Sequence, residues 1–190
     1  MVDLDDNIYT QQVLDGETSS FTHLVNKYKD MVFTVCYRIL RQHEDAEDTA
    51  AQVAFIKAFD KLNSFNGDSK FSTWLYTIAY RTAISKTRLL KLESTDDGLY
   101  VETSNEINFP QLEEMKQQER QLYVQKAIDS LRELDGVIIT LFYIDESSIQ
   151  EIVDITGLSE SNVKVKLHRV RKQLKINLEG LLQQELKSII

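Results

Sequence analysis

SIQEIVDITGLSESNVKVKLHRVRKQLK, residues 148–175, reads as two helices broken by a tight turn. Ser148 followed by Glu151 is the capping-box spacing, in which each side chain satisfies the other residue's free backbone donor. Ile149, Ile152, Val153 and Ile155 supply a short apolar face before Thr156-Gly157-Leu158 interrupts. Gly157 suits the left-handed position that ends a helix, and Ser159 suits the cap of the next. Val163, Leu167, Val170 and Leu174 then recur at helical spacing. Between them Lys164, Lys166, Arg169, Arg171, Lys172 and Lys175 are all positive, and no acid lies between Ser161 and Leu178. Helix, glycine turn and a second helix with a basic outer face form the helix-turn-helix pattern, whose second helix enters a DNA major groove. The competing reading is a solvated helical hairpin with a chance lysine bias.

The rest of the chain is helical in character. Six glycines and one proline in 190 residues leave little material for turn-rich β structure, and 42% apolar residues is ordinary for a globular protein. A lone cysteine, Cys36, precludes an internal disulfide, fits a reducing compartment, and sits in an apolar helical pattern as a buried thiol. No apolar run reaches the ~20 residues of a membrane span, and MVDLDDNIYT has neither a basic start nor an apolar core. A cytoplasmic location is expected.

Net charge is −8, but its distribution matters more than its sum. Residues 1–20 carry Asp3, Asp5, Asp6, Asp15 and Glu17 with no base, and residues 92–119 carry eight acids against Lys116 alone. Residues 69–92 hold Lys70, Arg81, Lys86, Arg88 and Lys91 with no acid. Two basic islands therefore lie in an acidic chain, and a phosphate backbone responds to charge within a Debye length of ~8–10 Å.

In order, residues 1–20 read as a frayed or partly helical extension. Phe21, Leu24, Val25, Tyr28, Val32, Val35, Cys36 and Ile39 mark one stripe of a long helix ending near Arg41. An acidic break precedes a second helix running to about Leu62, and 63–69 is a loop by composition. Ser72 is the expected cap of a third helix, on which Trp74, Tyr76 and Tyr80 look exposed beside Arg81, Lys86 and Arg88. Aromatics among cations suit unpaired bases, because every base offers a face for stacking; for Trp74 a core position is the equal alternative. Residues 92–111 are polar, acidic and weakly periodic, a linker able to reach at most ~65–70 Å. Helices over about 113–131 and 135–144 lead into the helix-turn-helix. His23 and His43 join no ligand cluster, so no metal or cofactor is expected.

DAED at Asp45–Asp48, Gln52, FIKAF at Phe55–Phe59, FNGDSKFSTWLYTIAYRTAI at Phe65–Ile84 and ITGLSESNVKVKLHRVRKQL at Ile155–Leu174 together resemble the bacterial RNA polymerase sigma factors of the extracytoplasmic-function group. The resemblance implies an all-α fold of two small helical domains joined by an acidic linker. Its parts are an acidic extension (1–20), a polymerase- and −10-binding unit (21–92), the linker (93–117), a −35-binding helix-turn-helix unit (118–178) and a tail (179–190). Core RNA polymerase, promoter DNA and an anti-sigma factor are the implied partners, with no catalytic activity.

Position by position, the resemblance assigns Asp48, Gln52, Phe55 and Lys57 to polymerase docking. It assigns Phe65, Asn66, Gly67, Asp68, Ser69 and Lys70 to a loop holding a flipped −10 base, with Trp74, Tyr76, Tyr80 and Arg81 behind it. Ser159, Ser161, Asn162, Lys164, Lys166 and Arg169 fall on the −35 helix. The two promoter elements lie more than one DNA turn apart, so the domains separate by at least ~35 Å when bound.

Three departures stand out. Three residues rather than the usual two separate DAED from Gln52, and one extra residue turns a helix by about 100°, so a bulge or a shifted helix start is expected. Arg81 and Ser85 replace the frequent Asn and Asp. Gly136 stands where a larger basic residue is common. The rival readings are a stand-alone helix-turn-helix regulator, for which no dimerising heptad is present, and a helical adaptor that binds only protein. No paired His/Cys ligands, nucleophile elbow or phosphate-cradling glycine loop points to an enzyme.

Overall fold

The computed structural model describes residues 4–90 and 117–188, and among them the regular structure is entirely helical. The expected linker falls almost wholly outside the described residues. The elements are α1 (Leu4–Leu14), α2 (Phe21–Leu40), α3 (His43–Asp48), a π-helical segment (Thr49–Ala54), α4 (Phe55–Asp60), α5 (Phe71–Leu90), α6 (Gln117–Asp129), α7 (Glu133–Tyr143), α8 (Ile149–Thr156) and α9 (Glu160–Ser188). Short 3₁₀ turns precede α2 and follow α4.

α2 is the central strut, since its apolar stripe closes the first core. Leu24, Val32, Val35, Cys36 and Ile39 are buried against Phe71, Leu75 and Ala79 of α5 and Ala54 and Ala58 beside α4. A fully buried large apolar side chain contributes about 1.5–3 kcal/mol, so this contact dominates the first unit. Burial pushes the Cys36 thiol up to about 12, which keeps it an uncharged packing group.

The extension is partly helical, with Asp6, Thr10 and Val13 of α1 turned inward. Asp6 accepts a hydrogen bond from the Tyr28 hydroxyl and pairs with Lys27 at 2.8 Å, while Ile8 and Leu14 remain exposed. Ser72 does not cap α5, which begins one residue earlier at Phe71.

The second unit is built on α7, where Val137, Ile138, Ile139 and Leu141 are buried against Ile152 and Ile155 of α8 and Val163, Leu167 and Val170 of α9. α9 continues through Ser188, into the stretch set apart as a tail. Its Leu178 buries against Tyr123 and Ala127 of α6. The two units share one continuous apolar cluster, with α2 against α7 and α5 against α8.

Candidate nucleic-acid interface

The helix-turn-helix forms as its residues dictate. Ser148 Oγ accepts from the Glu151 amide at 3.2 Å, and the Glu151 carboxylate accepts from the Ser148 amide at 2.7 Å. Gly157 ends α8 at φ +75°, a left-handed conformation that a Cβ disfavours. Ser159 Oγ then accepts from the Asn162 amide at 3.3 Å at the start of α9.

Val163, Leu167 and Val170 are turned into the core, and this fixes the outward face of α9. Ser159, Ser161, Asn162, Lys164 and Arg169 are exposed there. Lys164 pairs with Glu160 at 2.5 Å, and Lys166 is half-buried beside Asp135 at 3.3 Å. Val165 lies on the same outward side, 46% exposed, and extends the face with an apolar contact that charge counting had passed over.

The second basic island is organised by the loop before α5. Gly67 has φ +79°, Asp68 N donates to Asn66 Oδ1 at 3.2 Å, and the Asn66 and Asp68 side chains bond to each other. This Asx-type turn leaves Asn66, Gly67 and Asp68 exposed. Phe65, Phe71 and Trp74 form a mutual aromatic cluster with centroids 5.5–5.6 Å apart. Trp74 is thus half-buried, part core and part surface. Ser69, Lys70 and Tyr80 are half-buried and Arg81 is exposed.

Tyr76 is the exception. Expected to be exposed, it is 2% accessible and donates its hydroxyl to Asp145 Oδ1 at 3.0 Å. Lys70 Nζ meets Glu151 Oε1 at 2.7 Å. Both partners belong to the helix-turn-helix unit, so spacing within α5 alone was silent about them. Burial raises the Tyr76 hydroxyl well above the ordinary tyrosine value, reinforced by the Asp145 charge. Burial also raises the Asp145 carboxyl, opposed by hydrogen bonds from Ser147 and Tyr76. Glu151 is pushed up by burial too, but hydrogen bonds from Lys70 and Ser148 outweigh this and hold it below its usual value.

Arg38 and Arg41 were not singled out from sequence at all. Arg38 is fully buried, pairs with Asp129 and donates Nε to Thr140 Oγ1 at 3.1 Å. A cation within an otherwise apolar stripe, between Val35 and Ile39, was the available signal.

The π-helical segment answers the spacing problem between Asp48 and Gln52. A π turn holds one residue more than an α turn, so the extra residue is absorbed within Thr49–Ala54. α4 therefore still buries Phe55 and Ala58. Asp48 and Lys57 are exposed, with Lys57 Nζ 3.4 Å from Thr82 Oγ1. Val53, Ile56 and Phe59 add apolar surface alongside, and a groove of about 480 Å³ opens between α2 and this segment, lined by Val25, Phe33, Ala50 and Phe55.

Residues 24–91 match the Sigma-70 region 2 family model and residues 121–174 match Sigma-70, region 4. The chain is 34% identical over 179 residues to the ECF RNA polymerase sigma factor SigW of Bacillus subtilis, covering 90% of this chain and 95% of that one. It is 31% identical over 193 residues to the ECF RNA polymerase sigma-E factor of Escherichia coli K12, covering 95% and 97%.

The chain belongs to the extracytoplasmic-function sigma factors.

It is thus an all-α, DNA-binding sigma factor that acts with RNA polymerase in transcription initiation, from a family that is not an enzyme class. The fold is shared with CnrH, solved in complex with the cytosolic domain of CnrY, at TM-score 0.64 and 20% identity over 93% of this chain and 98% of that one. It is shared also with the sigma factor RpoE of Bartonella quintana, solved with the anti-sigma factor NepR, at TM-score 0.61 and 19% identity over 84% and 96%. Among the described residues no helix of this sigma factor is long and apolar enough to cross a membrane, and no group of His, Cys, Asp and Glu is placed to hold a metal.

Proposed function

We propose a division of labour within this sigma factor, residue by residue. α9 reads the −35 element in the major groove through Ser159, Ser161, Asn162, Lys164, Lys166 and Arg169. The 65–70 loop holds a flipped −10 base, while Trp74, Tyr80 and Arg81, joined by Tyr76 once it is uncovered, line the opened strand. Asp48, Gln52, Phe55 and Lys57 mark the segment that docks on core polymerase, with the exposed Val53, Ile56 and Phe59 as its apolar surface. The factor acts in the cytoplasm, without catalytic chemistry of its own, and is held inactive by an anti-sigma factor.

The observation that carries this reading is the pairing of two different basic faces in one chain. One is a helix-turn-helix with the outward side of α9 exposed, and the other is an aromatic cluster beside Lys70 and Arg81. A reader of duplex alone has no use for the second. The test is a fluorescent base reporter at −10 of a promoter bound by polymerase and this factor. Stacking on an aromatic is worth roughly 1–3 kcal/mol, so Tyr80→Ala slows opening while −35 duplex binding is retained. Opening at the parent rate in a folded variant would move the melting role to the 65–70 loop.

A further inference from the structure

Val165 is a hydrocarbon side chain in the middle of a polar face. It is the sixth residue of α9, which starts at Glu160, and it is 46% exposed. It lies two residues after Val163 and two before Leu167, which at about 100° per residue sets it nearly opposite both. Those two are buried, so Val165 stands on the crest of the helix, away from the core.

Its neighbours sharpen this. One turn before and one turn after it, Ser161, Asn162, His168 and Arg169 share the same exposed side. Lys164 and Lys166 sit on the two flanks, and each is drawn sideways by an acid, Glu160 at 2.5 Å and Asp135 at 3.3 Å. The flanks therefore carry charge suited to phosphates, while the crest reaches furthest into a groove. Nothing in the fold asks for valine at this point. It belongs to neither apolar cluster of the described residues, and a β-branched residue is a poorer helix former than alanine, lysine or arginine.

In the major groove the base edges offer hydrogen-bond donors and acceptors, with one apolar group among them, the C5 methyl of thymine. An isopropyl side chain pressed on a donor or acceptor leaves that group unsatisfied, which is costly. Pressed on a thymine methyl, it removes apolar surface of both partners from water. The N-terminal residues of a recognition helix are those that approach base edges, and Val165 lies within the first two turns of α9.

We propose that Val165 reads a thymine methyl group in the −35 element, so that this sigma factor requires an A·T pair at one position there. The proposal deepens the assignment of α9 under Proposed function and rests on it.

The probe is deoxyuridine, which pairs as thymidine does and lacks only the methyl. Holoenzyme assembled from core polymerase and the full chain is offered its preferred promoter in competition with copies of it. In each copy one −35 thymine, on either strand, is replaced by deoxyuridine. One replacement is expected to weaken binding by about three- to tenfold, the scale of a single methyl contact. Holoenzyme carrying Val165→Ser should bind the thymine promoter less tightly by a similar factor and be indifferent to that replacement. Circular dichroism checks that the variant is folded, as its exposed position leads one to expect. If no replacement weakens the parent, or if the sensitive one costs the serine variant as much, Val165 does not read a methyl group. Scrambling the −35 element separates this from failure of the reading beneath it. Scrambling still weakens the parent when only the methyl contact is wrong. Binding unchanged by scrambling overturns both, because α9 then does not read −35 at all.

Discussion

The Tyr76 hydroxyl of α5 donates to the Asp145 carboxylate 3.0 Å away, across the junction of the two units. Asp145 in turn accepts from Ser147 Oγ at 2.6 Å, and the Tyr76 ring lies edge-on to Tyr28, which is bound to Asp6. Four elements far apart in sequence thus meet around one aromatic residue. Tyr76→Phe keeps the ring and removes one hydrogen bond to the Asp145 carboxylate. A hydrogen bond to a charged group contributes about 1.5–3 kcal/mol, and Asp145 is only partly buried, so a loss of about 1–2 kcal/mol is expected. Urea denaturation of parent and variant measures it through the shift in midpoint at constant slope.

Asp145 also makes this junction sensitive to pH. Its carboxyl is raised by burial, so the folded chain holds that proton more tightly than the unfolded one. The contribution to stability is fullest below the unfolded value of about 3.9 and is lost as pH rises through the folded value. Glu151 acts oppositely, because its lowered value gives stability that is lost on acidification. Asp145→Asn leaves Glu151 in place. The stability of the parent relative to this variant should therefore fall as pH is raised from about 4 towards neutrality, by denaturant unfolding at each pH. A constant difference would show that Asp145 titrates as if exposed.

Much of this arrangement was legible in the residues, and the gaps have physical causes. The capping box of Ser148 and Glu151 and the left-handed Gly157 are local features, and both formed where the pattern placed them. α1 is legible only as part of a frayed or partly helical stretch, because its inward face carries Asp6 and Thr10 while Ile8 and Leu14 point outward, which inverts the periodicity that marks a helix. Tyr76 was misjudged because its cover comes from Asp145, 69 residues later. Arg38 and Arg41 were overlooked for the same reason, since their partners lie about ninety residues away. The site residues on α9 depended only on which side Val163, Leu167 and Val170 turned inward.

The π-helical segment makes a prediction that an ordinary helix would not. Deleting Ala51 should convert Thr49–Ala54 to α-helix with Phe55 and Ala58 still facing the core. Deleting Ala58 from α4 instead turns everything after it by about 100° with nothing to absorb the change. The first variant is expected to stay folded by circular dichroism and to bind core polymerase, and the second to unfold. Equal loss in both would show that the segment is not a compensating bulge.

On α9, Glu160 ties up a cation assigned to DNA, since Lys164 pairs with it at 2.5 Å on the exposed surface. Glu160→Gln frees Lys164 and removes a negative charge near the phosphates, so −35 duplex affinity should rise. Lys164→Ala or Arg169→Ala should weaken binding by roughly 1–3 kcal/mol where a base is read, or reduce the salt slope by about one at a phosphate. Titrations at several salt concentrations separate the two. Unchanged affinity and slope in all three variants would remove these residues from the interface.

The central claim is that this chain lends promoter choice to RNA polymerase, with α9 reading one element and the 65–81 segment opening the other. The most direct measurement is transcription by purified core polymerase from a promoter library varied at −35 and −10, with and without the chain. The account predicts transcripts that depend on the chain, start at a fixed distance from one preferred pair of elements, and fall when either element is scrambled. Transcription that is the same with and without the chain, or that ignores both elements, would contradict it.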